Sequence, residues 1–453
     1  MVTYSIIQKS QLEGGLRLDA EYYQPEYLNN AKIIATLPYD VKKFADLASY
    51  ITNGHTPLHA DLSIGDVYFL TAENVFDFFI DYGTAKRITK LASKTELKRT
   101  ILSDNDLLIT IKGRVGNAAI VYKLQQDTNI NQDVARVVVK KGISPFYLSA
   151  FLNSKFGKLQ VERIATNQIN PFLGLGNLKE LLVPIIEIDK QEEIEKLIKK
   201  GLDELENSIS LYSQAENLLL EELGLKDFQV EDDLSYIVNL SEIKSAHRAD
   251  AEYFQPKYEK LIEKIKKYGS VPLLDLVQNV PARFNPKSQP TKLFRYIELS
   301  NITSSVGTID GFSEVSGDEA PSRAKRVLKA NDVIFSSVEG SLGKVALAGK
   351  EQEEYLASNG FFQFRSKNIL PEVLLVLAKS FVLQMQFEKE TTGTILTAVP
   401  KEAVKNIIVP KIEKTIQQKI AELVRKSHEA RLKAKQLLKE AKNKVENLIE
   451  TKL

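Results

Sequence analysis

The chain has 453 residues, of which 43% are hydrophobic and 26% are charged, and its net charge is +2. This length predicts at least two hydrophobic cores. With no cysteine and only four histidines, the composition excludes disulfides and thiolate-bound metals, and we predict no metal or cofactor in this chain. No apolar run reaches the roughly 20 residues of a membrane span, and the N-terminus lacks the pattern of a secretory signal, so we expect a cytoplasmic protein without membrane contact.

A motif near the N-terminus occurs again in the second half of the chain. Residues 17–27 read RLDAEYYQPEY and residues 248–258 read RADAEYFQPKY, with identity at eight of eleven positions. Pro25 and Pro256 are predicted in the first turn of a helix that follows an extended, aromatic lead-in. We expect the motif to dock through its aromatic rings while its arginines pair with nearby acids, rather than to catalyse a reaction.

The two halves continue to resemble each other in the same order. YFLTAENV (68–75) is followed by DNDLLITIKGRVGNAAIV (104–121), and YIELSNIT (296–303) by ANDVIFSSVEGSLGKVAL (330–347), each second segment holding a G-x-x-G turn between two apolar runs. A proline opens an apolar helical stretch in each half, and LLVPIIEIDKQEEI (181–194) matches IIVPKIEKTIQQKI (407–420). The pattern predicts a tandem duplication whose halves begin with strands and end with helices, an α/β (α+β) fold.

Each half ends in a long helix with a heptad pattern, and we expect the two helices to pack together as an antiparallel, coiled-coil-like pair. A lone surface helix is the alternative. We expect the repeated motif to dock each half onto this pair. Gly201 is unusual inside a helix and predicts a bend or a close contact. The predicted domains are 1–186 and 225–411, with long helices at 187–224 and 412–453. The predicted interface residues are Ile198, Leu205, Ile209, Tyr212, Leu219, Ile420, Val424, Ala434, Leu438, Ala441, Val445 and Leu448.

Familiar catalytic motifs are absent from the sequence. There is no G-x-x-x-x-G-K-[ST] nucleotide loop and no G-x-S-x-G nucleophile elbow. The G-x-x-G turns are followed by strands rather than helices, which argues against a dinucleotide site. The segment NQINPF is faintly similar to the Asn-Pro-Pro-aromatic motif of amino-methyltransferases, but the second proline is missing.

Polar loops that differ between the halves are the remaining candidates for function. Arg and Lys can bind guanine, and Asn and Gln can bind adenine, in the major groove of DNA. Solvated loops without a ligand are the alternative. Because the net charge is close to zero, a DNA-binding surface must be local or completed by a partner. The candidates are Thr110, Lys112, Arg114, Asn117, Asn167, Gln168, Arg283, Asn285, Lys287, Gln289, Lys292, Arg295, Thr392 and Thr394.

Over its whole length the chain resembles the specificity subunits of type I restriction-modification enzymes. The resemblance rests on the duplicated plan, the N-D-[LV]-[LI] and G-x-x-G strand pairs, the V-P and Q-x-x-I entry to each long helix, and the repeated opening motif. It implies two target-recognition domains separated by two long antiparallel helices.

The resemblance also implies function and partners. Each recognition domain would read one half of a split, asymmetric site in double-stranded DNA. The helices would set the gap between the half-sites and bind two methyltransferase subunits, which would carry S-adenosylmethionine, and restriction-translocase subunits would join them. The chain itself would be non-catalytic. A subunit of a methylation-only or rearranged system, a stand-alone nuclease or methyltransferase, and a scaffold without DNA contact remain alternatives.

Overall fold

The computed structural model describes residues 4–12, 17–57, 62–166, 170–229, 235–393 and 397–452. The chain divides into two compact units. Unit 1 comprises Met1–Leu205 and Leu432–Leu453, and unit 2 comprises Glu206–Arg431. Both boundaries fall inside long helices, so each unit contains part of both helices.

Unit 1 combines short strands with helices, and its first helix precedes all of its strands. Its strands are β1 Asp40–Lys43, β2 Ala48–Asn53, β3 Val67–Leu70, β4 Lys86–Ile88, β5 Leu107–Thr110, β6 Ala118–Ile120, β7 Thr128–Ile130, β8 Val134–Val139 and β9 Leu182–Ile185. Its helices are α1 Pro25–Thr36, α2 Phe44–Leu47, α3 Lys90–Lys94, α4 Pro145–Asn153, α5 Lys155–Ile164, α6 Leu175–Lys179 and the start of α7 Ile188–Glu222.

Two sheets and a ribbon organise unit 1. An antiparallel sheet has the order β2-β8-β5-β6, and a smaller sheet has the order β4-β3-β7, in which β3 and β7 are parallel. The ribbon pairs β1 with β9. One core joins the antiparallel sheet to α4, α5 and the paired segments of the long helices.

Unit 2 repeats these parts with small changes. Its strands are β10 Ser270–Pro272, β11 Val277–Asn279, β12 Leu293–Ile297, β13 Ile302–Thr303, β14 Thr308–Ile309, β15 Ser313–Ser316, β16 Ala324–Val327, β17 Asp332–Ser336, β18 Val345–Leu347, β19 Leu356–Ser358, β20 Phe361–Ser366 and β21 Ile408–Pro410. Its helices are α8 Leu240–Ala246, α9 Pro256–Tyr268, α10 Leu273–Leu276, α11 Pro371–Lys379, α12 Phe381–Lys389 and the start of α13 Lys414–Glu450.

The sheets of unit 2 have the orders β11-β20-β17-β18 and β15-β12-β19-β16. Strands β12 and β19 are parallel, as β3 and β7 are in unit 1. The ribbon of β10 and β21 corresponds to that of β1 and β9. The predicted tandem fold of mixed helices and sheets is therefore confirmed.

The matched sequence segments have matched structural roles. Pro25 and Pro256 occupy the first turns of α1 and α9, as predicted. The glutamine of each Q-x-x-I segment accepts a backbone hydrogen bond from the start of an apolar helix, from Ser144 N to Gln191 Oε1 at 3.0 Å and from Leu370 N to Gln417 Oε1 at 3.2 Å. Each long helix is thus joined to the core of its half at its first turns.

The aspartate of each N-D-[LV]-[LI] segment is structural. Asp106 accepts from Arg136 Nε at 2.7 Å, and Asp332 accepts from Arg365 Nε at 2.8 Å, in both cases between adjacent strands of the antiparallel sheet. Burial raises the pKa of Asp106, and the hydrogen bond from Arg136 opposes this effect. Each buried carboxylate is therefore compensated by an arginine of its own unit.

In unit 1 the two long helices run antiparallel. Glu193 pairs with Lys444, and Glu204 pairs with Lys433, so the residue numbers rise along one helix as they fall along the other. A Cβ added at Gly201 would lie 2.9 Å from Leu438 Cγ, so this glycine marks a close contact. The predicted interface residues of this unit are buried, apart from the partly buried Leu448: Ile198, Leu205, Ala434, Leu438, Ala441 and Val445.

In unit 2 the same helices meet around a buried serine pair. Ser427 Oγ donates to Ser208 O at 2.7 Å. The prediction of Ile209 as an interface residue is wrong, because the buried stripe follows Ser208 and a side chain one residue further on a helix turns about 100° away; Ile209 is 48% exposed. The other predicted residues of this unit are buried: Tyr212, Leu219, Ile420 and Val424.

Within the described part of the chain, no helix has the length and apolar character needed to cross a membrane.

Candidate nucleic-acid interface

A glycine hairpin links β5 to β6 in unit 1. Gly113 and Gly116 have φ angles of 75° and 89°, a region that strongly favours glycine. The chain exposes Lys112 just before Gly113, and Arg114 between the two glycines. The guanidinium of Arg114 lies 5.4 Å from the centroid of the Phe76 ring. The hairpin therefore carries two cations at the surface on a backbone of restricted shape.

Two of the predicted binding residues instead hold this hairpin together, which corrects their assignment. Thr110 is fully buried, and its hydroxyl accepts from Asn117 N at 2.9 Å and donates to Arg114 O. The Asn117 side chain donates to Val75 O at 3.1 Å and accepts from Lys158 Nζ at 3.1 Å. Because these polar atoms are engaged inside unit 1, Thr110 and Asn117 are not placed to read a base.

The segment after α5 lies beside the hairpin. Lys112 forms an isolated antiparallel bridge with Phe172, and Thr166 and Phe172 exchange two backbone hydrogen bonds of 2.9 Å. Leu173 N also donates to Ile111 O at 2.8 Å. The structure thus brings together two regions that are far apart in the sequence. Asn167 and Gln168 lie outside the described residues.

Unit 2 has the same arrangement with different side chains. Val338 forms a bridge with Ala398, and Thr392 and Ala398 exchange backbone hydrogen bonds of 3.0 Å. The hairpin between β17 and β18 has Gly340 at a φ of 74°. It exposes Glu339, which directly precedes Gly340 as Lys112 directly precedes Gly113. Thr392 is exposed, whereas Thr394 lies outside the described residues.

The segment between β11 and β12, together with β12 itself, contains the predicted cations and amides of unit 2. Arg295 in β12 donates to Tyr355 Oη at 3.1 Å, and its guanidinium lies 4.9 Å from the Phe312 ring centroid. Lys292 lies 4.0 Å from a carboxylate oxygen of Glu354. All six predicted residues are exposed: Arg283, Asn285, Lys287, Gln289, Lys292 and Arg295.

An exposed amide beside each hairpin escaped the sequence prediction. Gln132 follows β7 and Asn359 follows β19, and both are exposed. The residue after each amide accepts a 2.9 Å backbone hydrogen bond from the neighbouring loop, Ile111 N to Asp133 O and Ser337 N to Gly360 O. A turn of amide and small residues at the same place in both halves, N-Q-D and S-N-G, is the sequence signal that could have identified them.

The surroundings of these amides differ between the units. Gln132 Oε1 accepts from Thr56 Oγ1 at 2.9 Å. Asn359 N donates to the carbonyl of Arg323 at 2.7 Å, which places a further exposed cation beside this turn. We call the hairpin, the amide turn and the segment after α5 or α12 the loop edge of each unit. It is built alike in both units, and its exposed side chains differ.

The loop edges offer hydrogen-bonding groups and charge at the surface. Among the described residues, no group of three His, Asp or Glu side chains could hold a metal ion. Exposed Lys, Arg, Gln and Asn side chains on shaped loops can bind phosphates and base edges.

Comparison with known proteins supports this interpretation. Residues 284–443 match the family model described as the type I restriction modification DNA specificity domain. The chain is similar to the specificity subunits of type I restriction enzymes. The resemblance predicted from the sequence is thereby confirmed.

Two curated relatives are specificity subunits. The chain is 26% identical over 166 residues to the type I restriction enzyme EcoBI specificity subunit of Escherichia coli, covering 35% of this chain and 34% of that protein. It is 22% identical over 253 residues to the MjaIX specificity subunit of Methanocaldococcus jannaschii, covering 54% of each. The matches therefore span about a third and about half of these relatives.

Two solved structures that are similar to this chain are also named as HsdS or S subunits. The HsdS subunit from Thermoanaerobacter tengcongensis is 31% identical, with 34% of this chain and 40% of that chain covered and a TM-score of 0.31. The type I restriction-modification system S subunit from M. genitalium is 12% identical, with 92% of this chain and 96% of that chain covered and a TM-score of 0.41.

Proposed function

We propose that this chain is the non-catalytic DNA-reading subunit of a type I restriction-modification enzyme. Each unit reads one half of a split site in double-stranded DNA through its loop edge. The long helices set the gap between the half-sites and receive two methyltransferase subunits, through which restriction subunits join. The observation that carries this proposal is the loop edge itself, which has one backbone plan in both units and different exposed side chains.

The chemistry of the two loop edges favours different bases. In unit 1, Lys112 and Arg114 are suited to guanine or to phosphates, and Gln132 is suited to adenine. In unit 2, Glu339 can accept a hydrogen bond from cytosine, and Asn359 is suited to adenine. An asymmetric DNA site requires two units that share a backbone scaffold but present different side chains to the two half-sites.

Methylome sequencing of cells with and without this chain tests the proposal. We expect a split, adenine-methylated motif that disappears when the chain is removed. Without such a motif, or if the purified chain alone methylates or cleaves DNA, the proposal is wrong.

Charge reversal on one loop edge then tests the assignment of half-sites. Lys112→Glu with Arg114→Glu should weaken binding to DNA through the first half-site by at least about tenfold, because two cations near phosphates or guanines are replaced by acids. The control is Lys32→Glu with Lys42→Glu, at exposed positions in α1 and β1. Equal loss at both half-sites, or a loss no larger than in the control, would contradict independent reading by unit 1.

A further inference from the structure

The repeated motif of the sequence, R-x-D-A-E-Y-x-Q-P, has no part in the proposed reading of DNA. It was expected to dock onto the long helices. The motif makes hydrogen bonds and ring contacts with the short helix α5 in unit 1, and with α12 and the residues that follow it in unit 2. In both units this is the helix that leads directly into the loop edge.

In unit 2 the arginine of the motif binds the end of α12. Arg248 Nη2 donates to Thr391 O at 2.9 Å, and Nη1 donates to Lys389 O at 3.4 Å. The last carbonyls of a helix have no partner within the helix, and a cation is favourable there. Arg248 is itself oriented by Asp250, which accepts from Nε at 2.8 Å, and by Tyr253, whose ring centroid lies 4.4 Å from the guanidinium carbon.

In unit 1 the motif also contacts the helix, but here the arginine belongs to the helix and not to the motif. Arg163 of α5 donates from Nε to Tyr22 O at 3.1 Å. The guanidinium carbons of Arg17 and Arg163 each lie 4.2 Å from the centroid of the Tyr22 ring. A second bond runs from Asn30 Nδ2 in α1 to Phe156 O in α5 at 3.0 Å. The contact is thus present in both units, although the donor residue has changed.

One carbonyl bonded by Arg248 in unit 2, that of Thr391, belongs to the segment after α12 and so to the loop edge. Thr391 precedes Thr392, which pairs with Ala398, and Ala398 forms the bridge to Val338 of the glycine hairpin. In unit 1, Arg163 lies three residues before Thr166, whose partner Phe172 forms the bridge to Lys112. A change in the motif would therefore move the helix end, then the paired segment, then the hairpin.

We infer that the repeated motif positions the loop edge of its own unit, and that Arg248 and Arg163 are positioning residues for the second and first half-sites. This inference rests on the proposed function. It assigns no contact between these arginines and DNA. It explains why the motif is nearly identical in the two halves while the loop edges differ, because the same backbone must be held in both.

The test compares one variant of each unit. Arg248→Lys keeps the positive charge beside Asp250 but cannot reach two carbonyls with a planar fork. Its counterpart is Arg163→Lys, which removes the planar guanidinium that donates to Tyr22 O and lies over the Tyr22 ring. Each full-length variant is purified with its methyltransferase subunit. Affinity is measured for duplexes carrying the motif found by methylome sequencing, intact or with either half scrambled.

We expect Arg248→Lys to reduce the discrimination against a scrambled second half by roughly tenfold, the scale of one mismatched base pair, with the first half unchanged. Arg163→Lys should give the opposite pattern. The thermal midpoint of each variant is measured in parallel, and the unaffected half-site serves as the control for folding.

The possible outcomes separate the two claims. If the wild-type complex recognises no split site, the proposed function fails. If it recognises one, but both variants retain full discrimination or lose it equally at both halves, the positioning role is overturned and the motif serves only stability.

Discussion

The two units are built from the same parts but are attached to the long helices by different chemistry. In unit 1, α7 presents Leu202 and Leu205 to the core, and Gly201 allows close approach of Leu438. In unit 2 the corresponding stretch of α13 presents His428 and Arg431. Apolar packing in one unit is thus replaced by a polar network in the other.

The polar network of unit 2 joins α13 to the β13–β14 hairpin. Arg431 Nη2 donates to Asp310 Oδ2 at 2.7 Å, and Thr303 Oγ1 donates to the same oxygen at 2.7 Å. His428 Nε2 lies 2.9 Å from Val306 O. A buried polar network requires each member to be satisfied, because an unpaired polar group inside a protein is costly. The two units therefore share a backbone plan, and we expect them to differ in their sensitivity to mutation and pH.

Removing the carboxylate of the network should have the largest effect on stability. Arg431 is 4% exposed, so Asp310→Ala leaves a buried guanidinium without its principal counterion, at a cost of about 3–5 kcal/mol. When unfolding in urea is monitored by circular dichroism, we expect an early transition that reflects the unfolding of unit 2.

The matched control is Glu204→Ala in unit 1. It breaks the ion pair with Lys433, whose side chain is 63% exposed. Such a surface pair contributes about 1 kcal/mol or less. Similar losses of unfolding free energy in the two variants would show that the buried network of unit 2 contributes no more than a surface ion pair.

The close contact in unit 1 should give a smaller effect. Gly201→Ala gains about 1 kcal/mol in helix propensity. The added Cβ would lie 2.9 Å from Leu438, and overpacking of this kind costs about 1–3 kcal/mol. We expect a net fall in the thermal midpoint.

Two further variants make this prediction decisive. Gly176→Ala in α6 places its Cβ in open space and should be neutral or stabilising. The double variant Gly201→Ala/Leu438→Ala shortens the neighbouring side chain. In this background the glycine substitution should lower the thermal midpoint less than it does alone. Stabilisation by Gly201→Ala to the same extent as Gly176→Ala would rule out a close contact.

Much of the fold could be predicted because its signals are local or periodic. The repeat, the glycine turns and the heptads appear directly in the sequence, and they led to the tandem fold and to the long helices. Ile209 shows the limit of this reasoning, since its apolar character fits the heptad but the buried stripe contains Ser208 instead. Two buried serines satisfy each other across the helices, a pairing that no local pattern reveals.

The candidate site was harder to predict because its polar residues have uses that depend on distant contacts. Asn117 and Lys112 are similar candidates in the sequence, yet the Asn117 side chain bonds Val75 and Lys158, whereas Lys112 is exposed. Gln132 was missed for the opposite reason, since its turn becomes part of the loop edge only when β7 and β8 bring it beside the hairpin. Residue type suggested the chemistry, but tertiary structure decided which side chains are accessible.

The smallest predicted effect concerns pH and again separates the units. Burial lowers the pKa of His428 below its usual value of 6.5. In the unfolded chain this histidine binds a proton near pH 6.5, whereas in the folded chain it does so only at lower pH, so stability falls as pH decreases through this range. Its counterpart in unit 1, Leu202, does not titrate. We expect His428→Gln to flatten the dependence of the unit 2 unfolding midpoint between pH 7 and pH 5, while Leu202→Gln lowers stability equally at all pH values. An unchanged pH profile in His428→Gln would show that other groups control the acid sensitivity of unit 2.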